Sequence, residues 1–298
     1  MGDGADGRVK WQVYLRLGRV SNLPTVWTNV LAGTALAGGS TAPGRVAALT
    51  VAFSLFYTGG MYLNDAFDRE VDARERPERP IPSGQIRARD VFAIGFGMLS
   101  VALLILMVSS VWWIGGRGWA SVGAGVVLAG AITYYDVRHK ANPLSPLVMG
   151  LCRVLVYVTA ALAVAGRVGG AVVVGAAVLL SYLIGLTYVA KQENLAEYKN
   201  LWPLAFLVAP FAYGVPILLG SPIGAALYLG LLGWVCYAVS FLVRTGRPDI
   251  RRAVVSFIAG ISLLDALLIA GVGDPGGAGW AVLGFALTLV FQRWVPGT

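Results

Sequence analysis

Charged residues are scarce in this sequence. Asp, Glu, Lys and Arg make up 13% of its 298 residues, about half of the roughly 25% found in soluble domains. The chain also has only one histidine, His139, and two cysteines, Cys152 and Cys236, in separate apolar runs. Such spacing implies neither a disulfide nor a zinc site, and one histidine cannot form a metal cluster alone. The composition is that of a membrane protein.

Hydrophobic residues are abundant instead, at 57% of the chain. They form runs of about 18 to 22 residues, enough to cross roughly 30 Å of hydrocarbon as α-helices. The runs predict spans at about 22–39, 45–64, 90–113, 118–135, 146–165, 170–190, 201–219, 222–243, 253–272 and 279–295. We therefore predict one all-α integral membrane domain over residues 1–298. It is a bundle of about nine to ten transmembrane helices after an N-terminal segment, 1–21; the run 279–295 also suits a re-entrant or interfacial helix.

The basic residues that give the chain its net charge of +8 are concentrated on one predicted side of the membrane. If the N-terminus is cytoplasmic, all but four of the 23 basic residues fall on the cytoplasmic side. The exceptions are Arg45, Arg117 and Arg167 outside and Arg153 within a span. Such an excess of Lys and Arg is typical of cytoplasmic loops. We predict an inner (plasma) membrane protein with its N-terminus and active-site loops in the cytoplasm, and no nucleic-acid partner is needed to explain the charge.

Acidic residues are concentrated in one stretch, 65–78, which holds six of the fifteen in the chain. Asp65, Asp68 and Asp72 are spaced to share one helical face, and three carboxylates there need a counter-charge. Mg²⁺ suits such oxygen ligands and commonly bridges them to phosphates. Arg76 and Arg79 follow, where guanidinium groups can pair with phosphate. A solvated loop held by Arg–Asp pairs explains the spacing equally well.

The full string around these residues favours a functional site. Residues 64–72 read NDAFDREVD and residues 76–84 read RPERPIPSG. The pattern resembles the first aspartate-rich motif of the UbiA superfamily of membrane prenyltransferases, NDxxDxxxD followed by RPxRPxPSG. The resemblance implies that Asp65, Asp68 and Asp72 hold Mg²⁺ on a prenyl diphosphate beside Asn64. It also implies that Arg76 and Arg79 belong to the cap that grips the diphosphate.

A second stretch, 134–153, also looks like this family. Lys140 is placed to meet a diphosphate oxygen, although a loop lysine is also a determinant of topology. Arg153 lies about 10 Å into its helix, so we expect either an internal acid or a substrate anion to face it. Tyr134 and Tyr135, like Tyr188 farther on, present aromatic faces that suit a carbocation, or they are interfacial anchors.

The sequence departs from the family at its second aspartate motif, DxxxD. The corresponding stretch carries Glu193 and Glu197, which keep the one-turn spacing. We assign Glu193 as a second metal ligand and Glu197, with Lys191, as substrate-binding; pairing of the glutamates with neighbouring lysines is the alternative.

Two polar residues inside spans remain. The segment 19–29 is similar to the opening of some family members, and its Asn29 either caps a helix contact or lines the cavity. We favour the cavity. Asp265 belongs to no motif, so we expect a buried structural partner for it.

Three functions fit these observations. The resemblance implies a Mg²⁺-dependent prenyltransferase that passes a prenyl group to a hydrophobic, aromatic or other lipophilic acceptor and releases pyrophosphate. A terpene cyclase of the same superfamily, which needs no acceptor, is the alternative. A transporter is a remote third, because its path would need acids in the middle of spans, whereas here nearly all lie at cytoplasmic ends.

Overall fold

A computed structural model describes residues 11–38, 42–112, 115–140, 142–191, 202–243 and 248–295. Throughout these residues the regular structure is helical, without a strand. A short helical segment, 11–17, and a 3₁₀ turn, Val20–Asn22, lead into the bundle. The helices are α1 (Leu23–Leu36), α2 (Pro43–Phe67), α3 (Arg69–Glu75), α4 (Ala88–Met107), α5 (Ala120–Arg138), α6 (Ser145–Ala165), α7 (Gly170–Lys191), α8 (Val208–Gly220), α9 (Pro222–Ser240), α10 (Ile250–Gly271) and α11 (Pro275–Phe291).

Eight helical segments of the described chain are long and apolar enough to cross a membrane. They are α2, α4 with its π-helical extension Val108–Trp112, α5, α6, α7, α8 with the 3₁₀ segment Trp202–Leu207, α9 and α10. The first and last predicted spans are shorter helices: α1 has 14 residues and α11 has 17. The structure confirms the prediction of an all-helical membrane bundle, with the count of nine to ten as an approximation.

Local sequence explains where several helices begin and end. Proline occupies the first turn of α1, α2, α6, α9 and α11, where its missing N–H costs no hydrogen bond. Asp249 caps α10 by accepting from the Arg252 N–H at 3.0 Å, and Asp274 caps α11 by accepting from the Gly277 N–H at 2.8 Å. Gly166 ends α6 with φ of 70°, a left-handed conformation that favours glycine.

Small residues allow neighbouring helices to approach closely, as is common in membrane bundles. A Cβ atom on Gly33 of α1 would lie 2.9 Å from the Tyr157 Cα of α6, and one on Gly59 of α2 would lie 2.9 Å from the Gly95 carbonyl oxygen of α4. Helix α10 is almost entirely buried and packs against α1, α7, α9 and α11. It is therefore the central helix of its half of the bundle.

The polar connections meet at one end of the bundle. Helices α2, α5 and α7 finish there, and α1, α4, α6 and α10 begin there. The segments 11–22, 68–87, 139–140 and 142–144 cover this end, which we call the charged end.

Candidate active site

A cavity of about 630 Å³ opens at the charged end. Its lining residues on α2, α6 and α10 extend as far as Phe53, Val156 and Ile261. They are counted from Asn64, Ser145 and Ile250, respectively, at the charged end of the same helices. Each lies eleven residues away, which is about 16 Å at 1.5 Å per residue. The cavity therefore reaches about halfway through a hydrocarbon layer roughly 30 Å thick. Its deeper wall is apolar, with Val26, Phe53, Phe56, Leu128, Ile132 and Val156.

The aspartate motif lies at the mouth of this cavity. Asp65 is in the last turn of α2, Asp68 lies between α2 and α3, and Asp72 is in α3. The single uninterrupted helix that the spacing predicted is thus divided at Asp68. The Asp72 N–H still donates to the Asp68 carbonyl at 2.9 Å, so the backbone keeps a helical path. All three carboxylates are at least nine-tenths buried as residues.

Arg79 joins two of these carboxylates. Its Nη1 lies 2.8 Å from Asp72 Oδ2 and 3.3 Å from Asp65 Oδ1. Arg19, from the segment before α1, approaches the same Asp65 oxygen at 3.5 Å. The proline-rich turn after α3 brings Arg79 back over the motif. Sequence reasoning placed Arg79 in the cap but gave Arg19 no role in the site, because nothing local connects it to residues 46 positions away.

Asp68 has different partners, contributed by the two residues that follow α5. Lys140 Nζ lies 3.2 Å from Asp68 Oδ1, and His139 Nε2 lies 3.4 Å from Oδ2. Burial alone would raise the pKa of Asp68, but the hydrogen bonds and charges of His139 and Lys140 outweigh it and hold that pKa below its ordinary value. Asp68 therefore stays a carboxylate. No motif assigns His139 to a site, and its position beside Lys140 was the available signal in the sequence.

These pairs match the alternative of a loop held by Arg–Asp contacts, yet the loop forms the mouth of a cavity instead of a free surface. Among the described residues, no three His, Cys, Asp or Glu side chains come close enough to ligate one ion. Mg²⁺ does not require such a cage, because it retains waters and takes one or two carboxylates together with substrate phosphates. The hard oxygen donors of the motif fit that requirement.

An additional acid, Asp136, faces the cavity beside Asn64. The Asn64 amide donates to Asp136 Oδ1 at 3.2 Å. The second oxygen, Oδ2, is buried and has no hydrogen-bond partner within the part of the chain that the structure describes. A bound ligand or water is needed to satisfy it. No spacing rule assigns Asp136 to the site, although it follows Tyr135 directly in the sequence.

Arg76 and Lys191 line the cavity without a carboxylate partner among the described residues. Lys191 Nζ donates to the Asn142 carbonyl at 3.1 Å. The guanidinium of Arg76 and the ammonium of Lys191 therefore remain available to an anionic ligand. Glu193 and Glu197, the proposed second metal motif, lie outside the described residues, and their roles stay predictions.

Of the three tyrosines predicted to bind substrate, Tyr135 is the one that lines the cavity among the described residues. Tyr135 lines the cavity and stacks on His139 with ring centroids 5.0 Å apart. Tyr134 is 53% exposed on the outer face of α5, and Tyr188 packs against Trp202 at 5.9 Å, away from the lining. Adjacent helical positions point about 100° apart, so only one of Tyr134 and Tyr135 can face inward. Neither Tyr134 nor Tyr188 is among the described residues that line the cavity.

Asn29 also differs from its prediction. It is fully buried and does not line the cavity. Its Oδ1 accepts from Arg153 Nη1 at 2.8 Å, and its amide donates to Asp265 Oδ2 at 2.8 Å. Arg153 does line the cavity. An internal acid or a substrate anion was expected to face it; the acid Asp265 lies nearby but is reached only through Asn29. The buried partners expected for Asp265 are Thr28, Asn29 and Tyr157.

Comparison with known proteins agrees with this arrangement. The model of the UbiA prenyltransferase family matches residues 26–261. The chain is 40% identical to the digeranylgeranylglyceryl phosphate synthase of Methanopyrus kandleri over 97 residues, 30% of this chain and 35% of that protein. It is 32% identical to a 4-hydroxybenzoate octaprenyltransferase of Burkholderia pseudomallei over 104 residues, 33% of this chain and 36% of that protein. Each match therefore spans little more than a third of the relative's length.

A solved structure has a similar fold over nearly the whole chain. It is a UbiA homologue from Archaeoglobus fulgidus bound to DMAPP and Mg²⁺, with a TM-score of 0.53 and 16% identity, covering 95% of this chain and 99% of that one. At that identity the likeness shows the fold alone.

Proposed function

The chain belongs to the UbiA prenyltransferase family, and from this premise we propose that it transfers a prenyl group from an isoprenyl diphosphate to a lipophilic acceptor in a Mg²⁺-dependent reaction. The allylic C–O bond breaks and pyrophosphate leaves with the electron pair. A nucleophilic atom of the acceptor then bonds to the allylic carbon and loses its proton. The charged end faces the cytoplasm in this proposal, in agreement with the distribution of Lys and Arg.

The observation that carries the proposal is the position of the acid–base cluster at the mouth of an apolar cavity. A prenyl diphosphate has a strongly anionic head and an apolar tail, and the cavity offers a surface for each. Arg76, Lys140 and Lys191 border the mouth and would contact the diphosphate oxygens. The apolar wall down to Phe53 and Phe56 would receive the tail.

The aspartates of the mouth would hold the metal. Asp68, kept ionised by its basic neighbours, and Asp72 both line the cavity. Asp65, the third proposed ligand, shares the Arg79 guanidinium with Asp72. When bound, Mg²⁺ supplies Lewis-acid stabilisation of the leaving pyrophosphate. The basic side chains of the mouth add electrostatic stabilisation of the same developing charge.

The walls of the cavity would protect the allylic cation. Its apolar residues exclude water, which would otherwise capture the cation as an alcohol. The rings of Tyr57 and Tyr135 lie in the wall, where aromatic faces attract a cation. Sequence reasoning named Tyr135 for this role and missed Tyr57.

Product analysis tests the proposal. Detergent-purified protein is incubated with C10 to C20 prenyl diphosphates and Mg²⁺, with and without a panel of lipophilic acceptors, and the organic extract is analysed by mass spectrometry. A prenylated acceptor, with pyrophosphate release that rises steeply when acceptor is added, supports transfer. Rapid release without acceptor together with a cyclised hydrocarbon or terpene alcohol would identify a cyclase instead.

A further inference from the structure

Arg153 is a cation far inside the cavity. It lies eight residues after Ser145, the first residue of α6, which places its Cα about 12 Å below the charged end. Its side chain is partly exposed, and it lines the cavity. In a membrane bundle, a charged side chain at such depth requires a compensating group.

The direct contacts of Arg153 are neutral. Nη1 donates to Asn29 Oδ1 at 2.8 Å, and Nη2 donates to Thr25 Oγ1 at 3.1 Å. The guanidinium carbon lies 5.4 Å from the centroid of the Tyr57 ring. Within the described residues, no carboxylate lies in ion-pair distance of Arg153. A guanidinium has five N–H donors, so donors remain for a ligand in the cavity.

Asp265 accepts a hydrogen bond from the Asn29 amide that contacts Arg153. It is fully buried on the side of Asn29 opposite Arg153, and it accepts from Thr28 Oγ1, Asn29 Nδ2 and the Tyr157 hydroxyl. These donors hold the Asn29 amide with its oxygen toward Arg153. Asp265 therefore fixes the guanidinium through Asn29 without occupying its cavity side.

The cations of the mouth are a separate group. Arg19, Arg79 and Lys140 pair with the aspartates at the charged end, whereas Arg153 lies two helical turns deeper. A single diphosphate held at the mouth leaves the deep guanidinium without an anion. The proposed reaction joins two substrates, and the second needs a fixed position beside the breaking C–O bond.

We propose that Arg153 binds an anionic group of the acceptor, a carboxylate or a phosphate, and that the acceptor is a compact molecule lying between Arg153 and the mouth. This inference rests on the proposed prenyl transfer and specifies its second substrate. The nucleophilic atom would then point toward the mouth, with the anionic group at the far end. A neutral lipid acceptor would offer the remaining donors of Arg153 no anionic partner.

The test measures binding of matched probes to purified protein saturated with Mg²⁺ and an unreactive thiolo analogue of geranyl diphosphate. Calorimetry compares 4-hydroxybenzoate with 4-hydroxybenzamide, and phenyl phosphate with phenol. Wild type should bind the anionic member of at least one pair about tenfold tighter, the usual effect of a charge-assisted hydrogen bond, and the pair that responds identifies carboxylate or phosphate. Arg153→Gln should abolish the preference, Arg153→Lys should retain part of it, and Arg87→Gln, which changes an exposed arginine paired with Asp90, should retain all of it.

A second variant covers the case in which Arg153→Gln fails to fold. The double change Asn29→Asp with Asp265→Asn keeps size and net charge but moves the carboxylate next to Arg153. The guanidinium is then paired internally, so the preference for anions should be lost although Arg153 is present.

Three results would overturn the inference: equal affinity of wild type for charged and neutral members of both pairs, a preference that survives in both Arg153→Gln and the double variant, or displacement of the diphosphate analogue by the anionic probe. Failure of the proposed function gives a different result, because the diphosphate analogue itself would then not bind in a Mg²⁺-dependent way.

Discussion

Replacing Arg79 by methionine should destabilise the protein in a way that Mg²⁺ can reverse. The substitution removes the cation that joins Asp65 and Asp72 and leaves an apolar side chain of similar length. The Arg79 side chain is 18% exposed and those of Asp72 and Asp65 are 6% and 11% exposed, so water only partly replaces the lost contacts.

The size of the effect follows from this burial. Removing one partner of a buried pair costs about 3 to 5 kcal/mol. Because Arg19 still contacts Asp65 and the site borders solvent, we expect about 2 to 3 kcal/mol for Arg79→Met. A cation that binds the freed carboxylates at 100 times its dissociation constant would return about 2.7 kcal/mol. Saturating Mg²⁺ should thus remove most of the difference from wild type.

The assay is SDS denaturation of detergent-solubilised protein followed by tryptophan fluorescence, with and without Mg²⁺. Arg87→Met is the matched control: Arg87 pairs with Asp90 at 2.8 Å on an exposed surface, and its loss should have no measurable effect. If Arg79→Met is no less stable than Arg87→Met, the pair at the mouth does not contribute as argued. If Mg²⁺ leaves the loss unchanged, the aspartates are not its ligands.

Three further predictions concern single side chains. Arg76→Ala should weaken binding of a prenyl diphosphate about tenfold or more, with little effect on stability or on the neutral prenol of equal length, because Arg76 has no ion-pair partner among the described residues; equal weakening of both ligands in a binding titration would contradict this. Glu193→Gln should raise the Mg²⁺ concentration for half-maximal pyrophosphate release, since an amide binds a hard cation less well; unchanged metal dependence and rate would reduce Glu193 to a surface charge. Asp265→Asn should cost roughly 1 to 3 kcal/mol, because Thr28, Asn29 and Tyr157 donate to the two carboxyl oxygens and an amide offers only one acceptor, and the same SDS titration would refute this by matching wild type.

The spans and the aspartate motif could be predicted from the sequence because both depend on local order. Hydropathy depends on consecutive residues, and the spacing of Asp65, Asp68 and Asp72 fits a helical path even though the helix divides at Asp68. The proline-rich turn that returns Arg79 to the motif is likewise local.

The completed site could not be predicted, since its remaining members come from distant parts of the chain. Arg19 is 46 residues from Asp65 and Asp136 is 72 residues from Asn64, while Thr28 and Asp265 are 237 residues apart. No spacing rule connects such positions.

The assignments that the structure corrects share another cause. Asn29 lies on a helix that is buried nearly all round, and Tyr134 lies next to Tyr135 in an apolar run, so periodicity does not reveal which face meets the cavity. Only the packing of α1 against α6 and α10, and of α5 against its neighbours, decides this.

The most direct test of the central claim is the rate of pyrophosphate release from a prenyl diphosphate as a function of Mg²⁺ concentration, in wild type and Asp68→Asn, with acceptor present. Wild type should show saturable dependence on Mg²⁺ and no release in EDTA. Asp68→Asn removes the carboxylate that Lys140 and His139 hold ionised at the mouth, and it should fold but lose turnover at every Mg²⁺ concentration. Activity within threefold of wild type, or release by wild type in EDTA, would contradict the assignment of the mouth of the cavity as the Mg²⁺-diphosphate site.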